Sequence, residues 1–135
     1  MVCTFQIRTS GQGLYEITSQ VAAAVRNSKC SSGICNVFLQ HTSASLIIQE
    51  NADPSARKDL ERWISRFIPE GNKAFTHTLE GPDDMPAHIK SALTGVSLSI
   101  PIIDEELTLG TWQGIYLWEH RKHPHTRSFV VHIGN

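Results

Sequence analysis

Val2 to Arg8 alternates apolar and polar side chains with period two, which predicts a strand. Gly11 and Gly13 mark a turn, and Thr18 or Ser19 is placed to cap a helix through Val21, Ala22, Ala23, Ala24 and Val25. Ser31-Ser32-Gly33 breaks that helix. Ile34 to Gln40 is a short apolar run that reads as a buried strand, and Leu46-Ile47-Ile48 is another, after the polar interruption His41-Thr42-Ser43. Asp53 followed by Pro54 is an N-cap with proline at the first helical position. Ala56, Leu60, Trp63, Ile64 and Phe67 then recur as one apolar face of helical period, stopped by Pro69 and Gly71. Pro82 to Pro86 starts a further short helix through Ala87, Ile89, Ala92 and Leu93, ending at Gly95. Val96, Leu98 and Ile100 alternate with serines in a half-buried strand. Thr111 to Glu119 is long enough for a full strand, and Phe129, Val131 and Ile133 alternate in a last one.

The order is strand, helix, strand, strand, helix, helix, strand, strand, strand. Strands follow one another without an intervening helix, which argues against a doubly wound parallel sheet. An α+β domain with a mixed, mainly antiparallel sheet or sandwich and two to three helices fits better. With 135 residues the natural count is one domain, long enough to bury a core without disulfide staples.

Composition narrows the class further. Twelve basic residues against thirteen acidic give a net charge of −1, so no basic excess points to nucleic acid. Cys3, Cys30 and Cys35 are an odd number at spacings that fit no common zinc motif, so free thiols in a reducing compartment are expected. The first residues are too short and polar a stretch for a signal peptide, and no run approaches the ~18 apolar residues of a membrane helix. A cytoplasmic protein is the expectation.

Chemistry is sought where polar residues interrupt apolar runs. His41-Thr42-Ser43 ends a buried strand, although a lone histidine there is more often structural. Asn51 and Asp53 are well explained as a turn residue and a helix cap, and Asp59 as a solvent-facing residue. His77, Glu80, Asp83, Asp84 and His88 place two imidazoles and three carboxylates within twelve residues, the ligand types of zinc and similar ions, at a spacing that matches no zincin motif. Gly81-Pro82 before a helix offers free backbone N–H groups for a phosphate. Period two puts Thr111, Gln113, Ile115, Leu117 and Glu119 on one strand face and Trp112, Tyr116 and Trp118 on the other. A carboxylate closing that apolar face needs a partner, and Arg127, a histidine or a metal are the candidates.

Three blocks carry a resemblance. They are His41-Thr42-Ser43-Ala44-Ser45 with Glu50-Asn51-Ala52-Asp53-Pro54 and Asp59-Leu60; His77 with Gly81-Pro82-Asp83-Asp84-Met85-Pro86-Ala87-His88-Ile89-Lys90; and Leu109-Gly110-Thr111-Trp112-Gln113-Gly114-Ile115-Tyr116 with Glu119 and the Arg127 strand. In this order they resemble the YjbQ-like family, whose members are described as secondary thiamine-phosphate synthases. The likeness runs from about Phe5 to Gly134. It implies a small α+β fold assembled as a homotrimer, a divalent metal such as zinc or magnesium held through histidines, and a small phosphorylated substrate. It also implies thiamine-phosphate synthase activity, joining a hydroxymethylpyrimidine diphosphate to a thiazole phosphate with release of pyrophosphate. On that reading His41, Asn51, Asp53, Gln113 and Glu119 are catalytic, Thr42, Ser43, Gly81 and Arg127 bind substrate, and His41, His77 and His88 converge on the metal. A metal-dependent hydrolase and a non-enzymatic ligand-binding trimer are the competing readings, and neither nucleic acid nor membrane is an expected partner.

Overall fold

The computed structural model describes residues 1–135. Its elements are β1 (Val2–Thr9), β2 (Gly13–Glu16), α1 (Thr18–Ser28), β3 (Ser32–Leu39), β4 (Ala44–Glu50), α2 (Pro54–Phe67), α3 (Asp84–Thr94), β5 (Ser97–Ile103), β6 (Glu106–Leu107), β7 (Gln113–Glu119) and β8 (His125–Gly134). Without β2 and β6 the order is the one read from the sequence. Those two strands are four and two residues long, too short to show a period.

The strands form a five-stranded sheet, β1-β8-β3-β5-β6, and a three-stranded sheet, β2-β7-β4. Every pairing is antiparallel. The α+β class therefore holds, with no parallel pair in either sheet. The main core gathers Val37 and Leu39 of β3, Ile100 and Ile102 of β5, Ile115 and Leu117 of β7 and Phe129, Val131 and Ile133 of β8, closed by Val21, Ala24 and Val25 of α1. A second cluster of Leu14, Ile64, Ile68, Tyr116 and Trp118 lies under α2. β7 thus alternates between two apolar clusters, and every residue from Gly114 to Glu119 is buried. No helix is long and apolar enough to cross a membrane. The three cysteines are free thiols.

The helices depart from expectation in instructive ways. Neither Thr18 nor Ser19 caps α1. The cap residue is Ile17, without a side-chain bond. The Thr18 hydroxyl instead donates to Glu16 and accepts the Ile115 N–H, each at 2.8 Å, tying α1 to β7. The Asp53 cap of α2 is as predicted, with Oδ1 accepting from the Ser55 N–H at 2.9 Å. Its apolar face is only half used. Ile64 is buried, whereas Trp63 and Phe67 stack on each other at 4.9 Å with both rings largely exposed. In α3 the inward face is also rotated from the apolar reading. Leu93 is exposed, while Asp84, Ala87, Lys90 and Ser91 are buried, because that helix packs on polar groups of β4 as well as on apolar ones. The Ser91 hydroxyl donates to the Ala44 carbonyl at 2.7 Å.

Candidate functional site

The N-terminal end of α3 carries the tightest cluster of ligand-type side chains. Asp84 and His88 are four residues apart on one helix face, and the preceding loop returns His77 to them. Asp84 Oδ2 lies 2.7 Å from His77 Nε2 and 3.1 Å from His88 Nε2. The three donor atoms all lie within 4.8 Å of one another. Asp84 is 1% exposed, and His77 stands largely open to solvent. A cavity of about 250 Å³ adjoins His77 and is lined also by Asn72, Phe75, Thr78, Gly81 and Met85.

The cluster has an outer layer that orients it. His88 Nδ1 lies 2.8 Å from the Thr42 carbonyl, which only accepts, so that nitrogen carries the proton. In neutral His88, Nε2 then presents a lone pair to the Asp84 carboxylate, and two electron-rich atoms at 3.1 Å need a proton or a cation between them. Donation of one ring N–H to a backbone carbonyl is the usual outer contact of a metal-binding histidine, whose other nitrogen faces the metal. Arg121 holds the other side, donating from Nη1 to Asp84 Oδ1 (2.8 Å), from Nε to Asp83 Oδ2 (3.0 Å) and from Nη2 to the Glu80 carbonyl (2.8 Å). Burial raises the Asp84 carboxyl, but His77, His88 and Arg121 more than offset it and keep it below the usual carboxylate range.

A second polar knot closes the end of the main core. Glu119 is fully buried and Arg127 is 3% exposed. Arg127 donates from Nε to Glu119 Oε1 at 2.7 Å and from Nη2 to Oε2. Thr9 Oγ1 and the Arg121 N–H complete the carboxylate at 2.8 and 3.0 Å. Burial again raises the carboxyl, and Arg127 with these donors more than offsets it. The expected partner of Glu119 is therefore in place. Arg127 Nη2 also donates to the Ser43 hydroxyl at 3.0 Å, so these two expected substrate-binding groups bond to each other.

Several expected site residues fall elsewhere. His41 is not in the metal-type cluster. Its Nε2 accepts the Ser128 N–H at 2.8 Å, which leaves the ring proton of the neutral imidazole on Nδ1, 3.4 Å from Arg127 Nη1, and Asp84 takes the place expected for it. Burial and the Arg127 charge lower its pKa. Thr42 contributes its carbonyl to His88. Gly81 lies at positive φ beside the cluster, with its N–H 3.4 Å from the Thr78 carbonyl.

Asn51, Asp53 and Gln113 stand at the far end of the β4–β7 ladder, where Glu50 pairs with Gln113, while Ala44 pairs with Glu119 at the near end. At ~3.3 Å per residue the two ends are roughly 20 Å apart. There Asn51 Nδ2 donates to the Gln113 carbonyl at 3.4 Å, and Gln113 Oε1 accepts the Gly110 N–H at 2.8 Å. Within one chain the five expected catalytic residues do not form one site. Asp84 and Arg121 do belong to the cluster, and the i, i+4 spacing of Asp84 and His88 was the sequence signal for the first of them.

Fold and site together define a small antiparallel α+β domain with a histidine–carboxylate centre at the mouth of a loop. The chain belongs to the YjbQ family, because the family model described as UPF0047 protein YjbQ-like matches residues 3–135. It is 51% identical over 127 residues to a UPF0047 protein of Synechocystis sp., covering 94% of this chain and 86% of the relative. It is 41% identical over 129 residues to the UPF0047 protein YjbQ of Salmonella typhimurium, covering 95% and 93%. A crystal structure of a YjbQ/UPF0047 family protein from Clostridium acetobutylicum superposes with a TM-score of 0.89 at 36% identity, covering 98% and 99%.

These matches overturn the activity expected from the sequence. They lead to a family and to relatives described only as UPF0047 or uncharacterised, not to a thiamine-phosphate synthase family. The assignment as a thiamine-phosphate synthase is therefore withdrawn.

Proposed function

We propose that His77, Asp84 and His88 bind one divalent metal ion, zinc or a similar ion, and that the chain is a metal-dependent hydrolase of a small molecule entering beside His77. The observation that carries this reading is the convergence of three donor atoms within 4.8 Å, with the histidines meeting on one oxygen of a buried carboxylate. Two histidines and one carboxylate are a known ligand set of catalytic zinc, which leaves a further position for water or substrate. Such an ion, when bound, polarises a substrate oxygen and acidifies a water.

The chain's own residues do the rest. Arg121 fixes Asp84 through Oδ1 and leaves Oδ2 to the histidines. The Thr42 carbonyl fixes the ring and tautomer of His88. His77, on the open side, borders the cavity in which substrate would sit.

Metal analysis of purified protein and zinc titration by calorimetry test the centre. One equivalent per chain is expected, falling below a tenth in His77→Ala and His88→Ala; equal metal content in native and variants refutes it. Metal-dependent turnover of a panel of ester and phosphoester substrates tests the hydrolase reading, and a stoichiometrically metallated protein that turns over none of them refutes that part alone.

A further inference from the structure

Lys90 is the unexplained residue of the fold. It lies on α3 with 4% of its surface exposed, and no hydrogen bond or ion pair closes on its amine. An ammonium is costly to bury, and the nearby Glu70 and Asp83 carboxylates offset only part of that cost without bonding to it. Lys90 lines a cavity of about 350 Å³ between α2 and the β2–β7 edge. Gln12, Glu61, Arg62, Arg66 and His120 are among the other walls, and Arg62 and Arg66 are exposed at the rim. A cavity of that size accepts a small metabolite.

The charges around it are unbalanced. Glu119 also borders the cavity, but its oxygens are occupied by Arg127, Thr9 and the Arg121 N–H. The His120 ring is bonded to the Ser45 hydroxyl at 2.8 Å. Glu61 is the remaining acid, and one of its oxygens accepts the Leu14 N–H at 3.0 Å. Glu70 and Asp83, the carboxylates beyond the wall that act on Lys90, are already paired with Lys122 and Arg121. Within the wall Lys90, Arg62 and Arg66 stand against Glu61, an excess of two positive charges, which matches a phosphate monoester at neutral pH with its charge of about −1.5 to −2. A buried amine at the floor and two guanidinium groups at the rim are the donors such a dianion needs.

We infer that this cavity is a binding site for the phosphate group of a small phosphorylated molecule, with Lys90 as its anchor and Arg62 and Arg66 as its rim. The site is separate from the His77–Asp84–His88 cluster, and none of the three cluster residues lines it.

Calorimetric titration of the metal-free full chain with inorganic phosphate, and with acetate at matched ionic strength, tests the inference. Saturable phosphate binding is expected, with acetate at least about tenfold weaker. Lys90→Met, which keeps the stem and removes the charge, should weaken phosphate binding at least about tenfold. The double variant Arg62→Ser/Arg66→Ser touches only exposed side chains and should weaken it severalfold, so the inference stays testable even if Lys90→Met fails to fold. His77→Ala/His88→Ala should bind phosphate as the native chain does. Native-like phosphate binding by the double arginine variant, equal binding of acetate, or loss of binding in His77→Ala/His88→Ala would each overturn it.

Discussion

His120 offers a direct test of how far burial controls this end of the molecule. The ring is 1% exposed, bonded through Nε2 to Ser45 Oγ, and 5.3 Å from the Trp118 ring. Burial, with the charges of Lys90 and Arg127 adding to it, pushes its pKa from 6.5 down to about 3. The unfolded chain therefore binds a proton near pH 6.5 that the folded chain refuses until about pH 3, so stability falls as pH drops through that window. At ~1.4 kcal/mol per pK unit the loss from this one ring is about 2 kcal/mol at pH 5 and about 3 kcal/mol at pH 4. Asp83, Asp84 and Glu119 have depressed pKa values, so their contribution is present above the ordinary carboxylate range and lost only below it. Between pH 6.5 and pH 5 they add no slope. His41, lowered in the same direction, acts equally in native and variant.

Urea unfolding of native chain and His120→Gln, followed by tryptophan fluorescence at pH 7 and pH 5, isolates the term. Glutamine keeps a hydrogen-bonding group for Ser45 and cannot titrate. Its lost packing on Trp118 is a constant offset at both pH values. The native chain should lose about 2 kcal/mol more than the variant between pH 7 and pH 5. Equal losses in the two proteins would show that His120 titrates normally in the fold and that its burial does not exclude the proton.

Two further outcomes follow from the polar networks. Arg121→Met removes the clamp on Asp84 Oδ1 but no ligand atom, and should weaken zinc binding about 10- to 100-fold by calorimetry; unchanged affinity would show that the helix alone positions the carboxylate. Glu119→Gln leaves the buried Arg127 without a counter-charge and should cost about 3–5 kcal/mol in urea unfolding, whereas a cost under about 1 kcal/mol would mean that Ser43 suffices to hold the guanidinium.

The fold was legible where periodicity was long. β1, β8 and the capped start of α2 follow directly from alternation and from Asp53-Pro54. What local pattern hid was decided by tertiary packing. Trp63 and Phe67 share the helical period of Ile64 yet are exposed, while Leu60, Ile64 and Ile68 meet the second cluster. Lys90 carries no sequence signal of burial and is buried, on an inward α3 face that includes Asp84 and Ser91 and leaves Leu93 exposed. For the candidate site, the sequence marked the polar blocks but not how they group in space. His41, read as more often structural yet grouped with His77 and His88, is held away from them by the Ser128 N–H on its Nε2.

The two networks at this end are joined through consecutive residues of one strand end. Glu119 takes the Arg121 N–H on its Oε2, and the Arg121 side chain then spans Asp83, Asp84 and Glu80. The Lys122 N–H adds a backbone donor to Asp83 at 2.9 Å, beside the Arg121 Nε. A buried ion pair is weak evidence for stability, because desolvation offsets most of its attraction. Here the Glu119–Arg127 pair has a geometric consequence that an apolar pair of the same volume would lack. Its carboxylate fixes the backbone at Arg121, and so the origin of the guanidinium that orients Asp84 toward His77 and His88. The loop carrying His77 has no regular secondary structure, so its place depends on such side-chain clamps rather than on a ladder. Glu119 is thus linked to the cluster through Arg121 and makes no direct contact with its three donor atoms.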